Sequence, residues 1–457
     1  MADRVVVLGG GPAGAVAALR AAQIGAQVTL VERRELGGTC TNRGCVPSKA
    51  LLAISALAAK IRQADEFGLR VSGLEFDFPK MQSRKDQIVT RIRGGIESAC
   101  KRHAVNVVPA EGHLEGDSVV VEGGQRFPYE QLVVCVGTEP SGLPDIDMSQ
   151  PHVITSDGVW TLDRIPERLL IVGGGVIGCE FASLFAPLGT RVTVVEVLPQ
   201  LLSGVDARTA QAFQRLLQAR GVEVHLECRA EELSYRADGV RARLSDGAEV
   251  EADLLLVAVG RAPQTRDIGL EEAGVKVDPR GHIEVDQYLR TANPRIWAAG
   301  DCIGGLQLAH LASAEAGRAV ENALKPALAR PMDRTVVPNC IFTQPEIATV
   351  GLHADQAREA GHEVKFGQAR FIGEAKALAE GDADGYVQLV ADAGSDRLLG
   401  ATIMGAHAVE LIHEVAVALS DGFTMAELGS VIHAHPTMSE VVMDAAQQGH
   451  KAAPYLS

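Results

Sequence analysis

Twice along this 457-residue chain a short apolar run leads into Gly-x-Gly-x-x-Gly, a helical stretch, a second apolar run and a glutamate. In the first copy, residues 5–8 precede Gly9, Gly11 and Gly14. A helix is expected over 13–24 and a strand over 27–31, ending at Glu32. In the second copy, residues 169–172 precede Gly173, Gly175 and Gly178. A helix is expected over 176–188 and a strand over 191–195, ending at Glu196. The acid follows the last glycine by eighteen residues both times. This order builds a strand–helix–strand unit of parallel type. Its glycines let the backbone approach a pyrophosphate at the helix N-terminus, and its acid accepts hydrogen bonds from a ribose. Two copies imply two dinucleotide sites, as for one nucleotide that stays and one that comes and goes. A carboxylate at Glu196 binds a free 2′-hydroxyl and repels a 2′-phosphate, so the second site should prefer NAD over NADP. Arg191 lies at the strand start, away from the ribose position.

The length requires two to four domains. The pattern predicts an α/β protein: two Rossmann-like dinucleotide-binding domains followed by a C-terminal α+β domain. Pro140, Gly142 and Pro144 read as a linker, which bounds a first part at 1–145 and a second unit at 146–265. The apolar run 296–299, closed by Gly300 and Asp301, suggests a return to the first unit over 266–334. From 335 to 457 the pattern changes to antiparallel strands at 386–390 and 398–404, with helices at 408–420, at 425–431 and from 439. A net charge of -15 argues against a nucleic-acid partner. There is no run of eighteen consecutive apolar residues, and the first strand begins at once. No membrane span and no leader are expected, and a cytoplasmic location follows.

Cys40 and Cys45 sit before a helix expected over 50–64. Five positions of regular helix rise about 7.5 Å, too far for an S–S bond, so a bridge needs a distorted first turn. The spacing leaves two readings open: a reducible redox bridge, or two thiols that never pair. The other cysteines, at 100, 135, 179, 228, 302 and 340, read as incidental thiols of a reducing compartment. Asp301, at a strand end, is either a ligand contact or a turn acid. The helix start 308–310 can present backbone N–H groups to an electron-rich ring. His435 and Glu440 form either a base with its orienter or a surface pair. His433 and His435 lack the further ligands of a zinc site, so no metal is expected.

Together these motifs resemble the flavoprotein disulfide reductases, the pyridine nucleotide–disulfide oxidoreductase family. The resemblance runs from Val5 to about Ala446 and rests on five motifs: 9–14, 40–49, 173–178, 299–301 and 435–440. It is strongest to members that oxidise protein-bound dihydrolipoyl groups with NAD. The features that carry this are the Cys-x-Asn-x-Gly-Cys-Val-Pro-Ser-Lys form, Glu196 and the His-Pro-Thr-x-x-Glu ending.

The resemblance implies FAD on Gly9, Gly11, Gly14, Glu32, Thr39, Lys49, Gly112, Asp301 and Ala309. It implies NAD on Gly173, Gly175, Gly178, Glu196 and Gly260. Cys45 becomes the thiol next to the flavin and Cys40 the interchange thiol. Lys49 lies by the flavin and pairs with Glu180. His435, held by Glu440, is the acid–base, supplied by the other subunit of a homodimer whose interface begins near residue 335. The electron donor is then a lipoyl-bearing protein of a 2-oxoacid dehydrogenase, glycine-cleavage or related system.

Rival members reduce mercuric ion, glutathione disulfide or quinones. The mercury branch adds a C-terminal cysteine pair, and this chain closes at 451–457 with none. Two departures stand out. Arg43 replaces a common valine, adding a charge expected to perturb Cys40. Cys135-Val136-Gly137 replaces Ala-Thr-Gly, expected to change packing more than function.

Overall fold

The computed structural model describes residues 3–450; the first two residues and the tail at 451–457 lie outside it. The first parallel sheet is built on Arg4–Leu8, whose residues 5–8 are all buried. An all-apolar strand of this kind suits a sheet covered on both faces. Arg4–Leu8 pairs in parallel with Gln27–Glu32 on one side and with Gln131–Val134 on the other. Ile296–Ala298 then pairs in parallel with Gln131–Val134, which brings Asp301 to the same sheet end as Gly9. Helices Pro12–Ile24 and Ala309–Leu324 cover one face, their alanines packed on Val5, Val7 and Leu30.

The second unit repeats the plan. Arg168–Val172 lies between Arg191–Val195 and Leu254–Val257, both parallel to it. Val176–Phe185 packs beside it, with a single 3-10 turn at Ala186–Leu188 where the sequence predicted continued helix. Pro187 accounts for the change, because it cannot donate the α-helical hydrogen bond. The C-terminal unit is a five-stranded sheet in which Tyr386–Asp392 pairs antiparallel with Leu398–Gly405. Helices Ala408–Asp421, Met425–Ser430 and Glu440–Gly449 bury Leu411, Met425, Val441 and Ala445 in its core.

The helix expected over 50–64 instead spans Cys45–Arg62, preceded by a separate short helix, Gly38–Arg43. By length and hydropathy the stretch 38–62 is apolar enough to cross a membrane. Its packing assigns it to the core: Leu51, Leu52 and Ala58 are buried with Phe181 and Phe185, and Ser55 Oγ donates to Leu184 O at 2.7 Å.

The third glycine of each fingerprint is demanded by contact. A Cβ on Gly14 would stand 1.7 Å from Gly9 O, and one on Gly178 2.0 Å from Gly173 O. Around Gly175 a Cβ would meet nothing within 4 Å. Gly178→Ala should therefore lower the Tm by several degrees, through helix displacement. Gly175→Ala should change it far less, as read by circular dichroism melting.

Candidate functional site

Both glycine turns end in open helix N-termini. Neither Gly11 nor Gly175 has a side-chain cap, and neither first turn carries an acid. The orphan N–H groups and the positive dipole end are left for an anionic ligand. The acids are anchored in the same way in both units. Glu32 accepts from Gly10 N at 2.6 Å and Arg34 N at 2.7 Å. Glu196 accepts from Gly174 N at 2.6 Å and Leu198 N at 2.8 Å. Each carboxylate is held under its glycine turn, and this cradle fits a dinucleotide.

Asp301 is half-buried, and desolvation pushes its carboxyl up; the one side-chain donor on it is Thr138 Oγ1, at 3.1 Å. A half-buried acid so thinly satisfied suits a hydroxyl-rich ligand chain. Arg261 donates to Thr138 Oγ1 at 2.9 Å and to Thr138 O at 2.8 Å, and it feels the charges of Asp157, Asp301 and Cys45. Gly260, just before it, adopts φ +123°. Thr39 lies in Gly38–Arg43, where Gly38 packs on Gly11. Gly112 packs on Leu8 and Val31, and Ala309 opens its helix.

The redox segment is organised by Gly44, which ends one helix and starts the next. A Cβ there would crowd Thr39 O at 3.2 Å. The fold around it is pinned from outside. Trp160 Nε1 donates to Arg43 O at 2.7 Å, and Asn42 Nδ2 donates to Leu36 O and Gly38 O at 3.0 and 2.9 Å. As a result the Cys40 and Cys45 thiols lie close enough for each to be the largest influence on the other's titration. Cys40, helped by the Lys49 charge and opposed by desolvation, draws the exposed Cys45 down to about 7. Cys45 and desolvation push Cys40 up.

Lys49 Nζ sits 3.0 and 2.9 Å from the two carboxylate oxygens of Glu180, and 4.2 Å from the centre of the Phe342 ring. Glu180 also accepts from Phe342 N at 3.1 Å. One ion pair thus joins the redox helix, the second fingerprint helix and the C-terminal unit. Arg43 does not act as its position suggested. Its guanidinium is 2.8 Å from Glu35 and 3.9 Å from Asp157, which neutralise it, and it is not among the leading influences on Cys40.

His435 Nδ1 lies 2.9 Å from Glu440 Oε1, and Thr437 N donates to the other oxygen at 2.8 Å. The carboxylate fixes the ring, whose side chain is 73% exposed. His435 is not among the hydrogen-bond partners of the thiols within the chain. His433 is tied instead to Glu414 at 2.7 Å and is nearly buried. Near Glu440 and Asp444 lies buried Glu374. Burial and the charges of Asp444 and Glu440 raise it to about 7. Thr138, Trp160, Arg261, Phe342 and Glu374 carry no motif, and the sequence reading passed over their roles.

Residues 3–316 match the family described as pyridine nucleotide-disulphide oxidoreductase, and residues 337–446 match its dimerisation domain. The chain belongs to this family. A dihydrolipoyl dehydrogenase of Chlamydia muridarum is 39% identical over 446 residues, covering 96% of this chain and 95% of that one. The dihydrolipoyl dehydrogenase of Bacillus subtilis is 37% identical, covering 97% of each. Among solved structures, LpdA from Mycobacterium tuberculosis superposes with a TM-score of 0.90 at 28% identity, covering 97% of this chain and 99% of that one. The HOCl-induced flavoprotein disulfide reductase RclA from Escherichia coli gives 0.89 at 30%, with the same coverage.

In a disulfide oxidoreductase the Lys49 charge should matter most to the thiol that it stabilises. Lys49→Met should raise the Cys45 titration by about one unit or more. The pH dependence of iodoacetamide labelling of the reduced protein reads this. In the wild type, labelling should grow as pH rises through about 7.

Proposed function

We propose that this protein is an NAD-dependent dihydrolipoyl dehydrogenase. The observation that carries the reading is the thiol pair Cys40–Cys45, close enough to govern each other's titration, beside Lys49–Glu180. Full-length relatives of that activity at 36–39% identity support it. FAD would rest on Gly9, Gly11, Gly14 and Glu32, with Thr39, Gly112, Asp301 and Ala309 around it. NAD would rest on Gly173, Gly175, Gly178, Glu196 and Gly260. Bound FAD supplies the route by which two electrons pass from the thiol pair to NAD.

The protein's own residues do the rest. In the oxidised enzyme the pair is a disulfide. A substrate thiolate attacks Cys40 Sγ, and Cys45 leaves as the thiolate that Lys49 stabilises. His435 takes the proton of the second substrate thiol. The resulting thiolate displaces Cys40 and closes the lipoyl disulfide, leaving two electrons on the cysteine pair. Glu440 holds the imidazole for this transfer and stabilises its cation. The exposed ring and the dimerisation domain support a homodimer in which His435 serves the partner's thiols. The dithiol donor would be a separate lipoyl-bearing protein, and a reducing cytoplasm would suit the unpaired thiols.

Steady-state assays with dihydrolipoamide, glutathione disulfide and mercuric ion, each with both nicotinamide cofactors, test the reading. Dihydrolipoamide with NAD should dominate. His435→Gln should lower kcat by about 10²–10⁴-fold. Cys40→Ser should abolish lipoamide turnover while sparing NADH:quinone reduction. Faster turnover of glutathione disulfide or mercuric ion would overturn it.

A further inference from the structure

The acid of the second fingerprint rests on a loop with chemistry of its own. Glu196 N donates to His225 O at 2.9 Å, and Glu196 O accepts from Cys228 N at 2.9 Å. The side chains of that loop meet Asp246, from the turn between Gly239–Leu244 and Glu249–Ala252. One ligand atom each from His225, Cys228 and Asp246 lies within 4.8 Å of the other two. Among the described residues no other three such donors come this close. An imidazole nitrogen, a thiol sulfur and a carboxylate oxygen are the donors that zinc takes.

We propose that His225, Cys228 and Asp246 form a Zn²⁺ site beneath the ribose-binding carboxylate of the second unit. The surroundings supply what such a site needs. His225 Nδ1 is 2.6 Å from Asp246 Oδ2, and Nε2 is 3.0 Å from Glu223 Oε1. A metal on Nδ1 leaves Glu223 holding the other nitrogen, the carboxylate–imidazole–metal arrangement that orients the ring and raises its basicity. Ser245 Oγ donates to Cys228 Sγ at 3.5 Å and steadies a thiolate there.

The distances are within reach. Metal bonds of about 2.0–2.3 Å in a tetrahedron separate ligand atoms by roughly 3.3–3.7 Å. His225 and Asp246 must part by less than about 1 Å and the sulfur must approach by about as much, motions a side-chain rotation supplies. Asp246 sits on an exposed turn, which leaves the fourth position to solvent.

The charges balance: the Asp246 carboxylate and a Cys228 thiolate bring two negative charges to one dication, so no unpaired charge is buried.

The test is calorimetric titration of ZnCl₂ into chelator-treated, oxidised holoenzyme, in which the Cys40–Cys45 disulfide offers no thiolate. Two buffers of different ionisation enthalpy count the protons. One zinc per subunit should bind with release of protons near neutral pH, since a ligating thiol must lose its proton. Cys228→Ser and Asp246→Asn should each weaken binding by about tenfold or more. Asp246→Asn alters only an exposed turn, so it reads the site even where Cys228→Ser fails to fold. Absence of stoichiometric binding, binding without proton release, or affinity unchanged in Asp246→Asn would overturn the site.

Discussion

A continuous helix would hold Cys40 and Cys45 about 7.5 Å apart along its axis. Gly44 divides that helix between them, and the thiols come close enough to act on each other. The division is held from both sides. Trp160, from beyond the first sheet, takes the Arg43 carbonyl, and Asn42 ties the short helix to the loop before it. With the sulfurs this close, one proton serves two thiols, so one is drawn down as the other is pushed up. Cys45 is the one drawn down, with the Lys49 charge beside it.

The Lys49–Glu180 pair gives that arrangement its wider reach. Lys49 is half-buried and Glu180 is 8% exposed, so the pair is shielded from solvent and salt more than a surface bridge. Glu180 also takes Phe342 N, and the Lys49 ammonium lies over the Phe342 ring. Breaking the pair would leave a buried carboxylate with the Phe342 N–H as its remaining donor, which is costly. Three units of the chain therefore meet at one charge pair beside the thiols. Arg261 makes a parallel link, reaching from the second unit to Thr138 and, through it, to Asp301.

Much of this was legible in the sequence because the motifs are local. The fingerprints are strand–turn–helix units whose contacts fall within some twenty-five residues, and Gly14 and Gly178 are required by a neighbour five residues away. Lys49, Cys40, Cys45 and the His435–Glu440 dyad lie in similarly compact runs. Of the long-range partners, the Lys49–Glu180 pair came through the family resemblance, and the rest were not readable. Trp160 and Phe342 act through a single backbone group each, which leaves no periodicity or spacing to find. Arg43 shows the opposite error: its place beside Cys40 predicted a charge effect, but Glu35 and Asp157 fold onto it. The helix also starts earlier than the sequence suggested, at Cys45, and Pro47 fits its first turn.

The central claim is that Cys40 and Cys45 form one two-electron unit that opens and closes. Differential alkylation followed by peptide mass mapping tests it directly, on the protein as purified and after anaerobic reduction by excess NADH. The account predicts both cysteines protected and joined before reduction, and both labelled after it. Labelling of either cysteine in the oxidised protein, or protection that NADH does not remove, would contradict it.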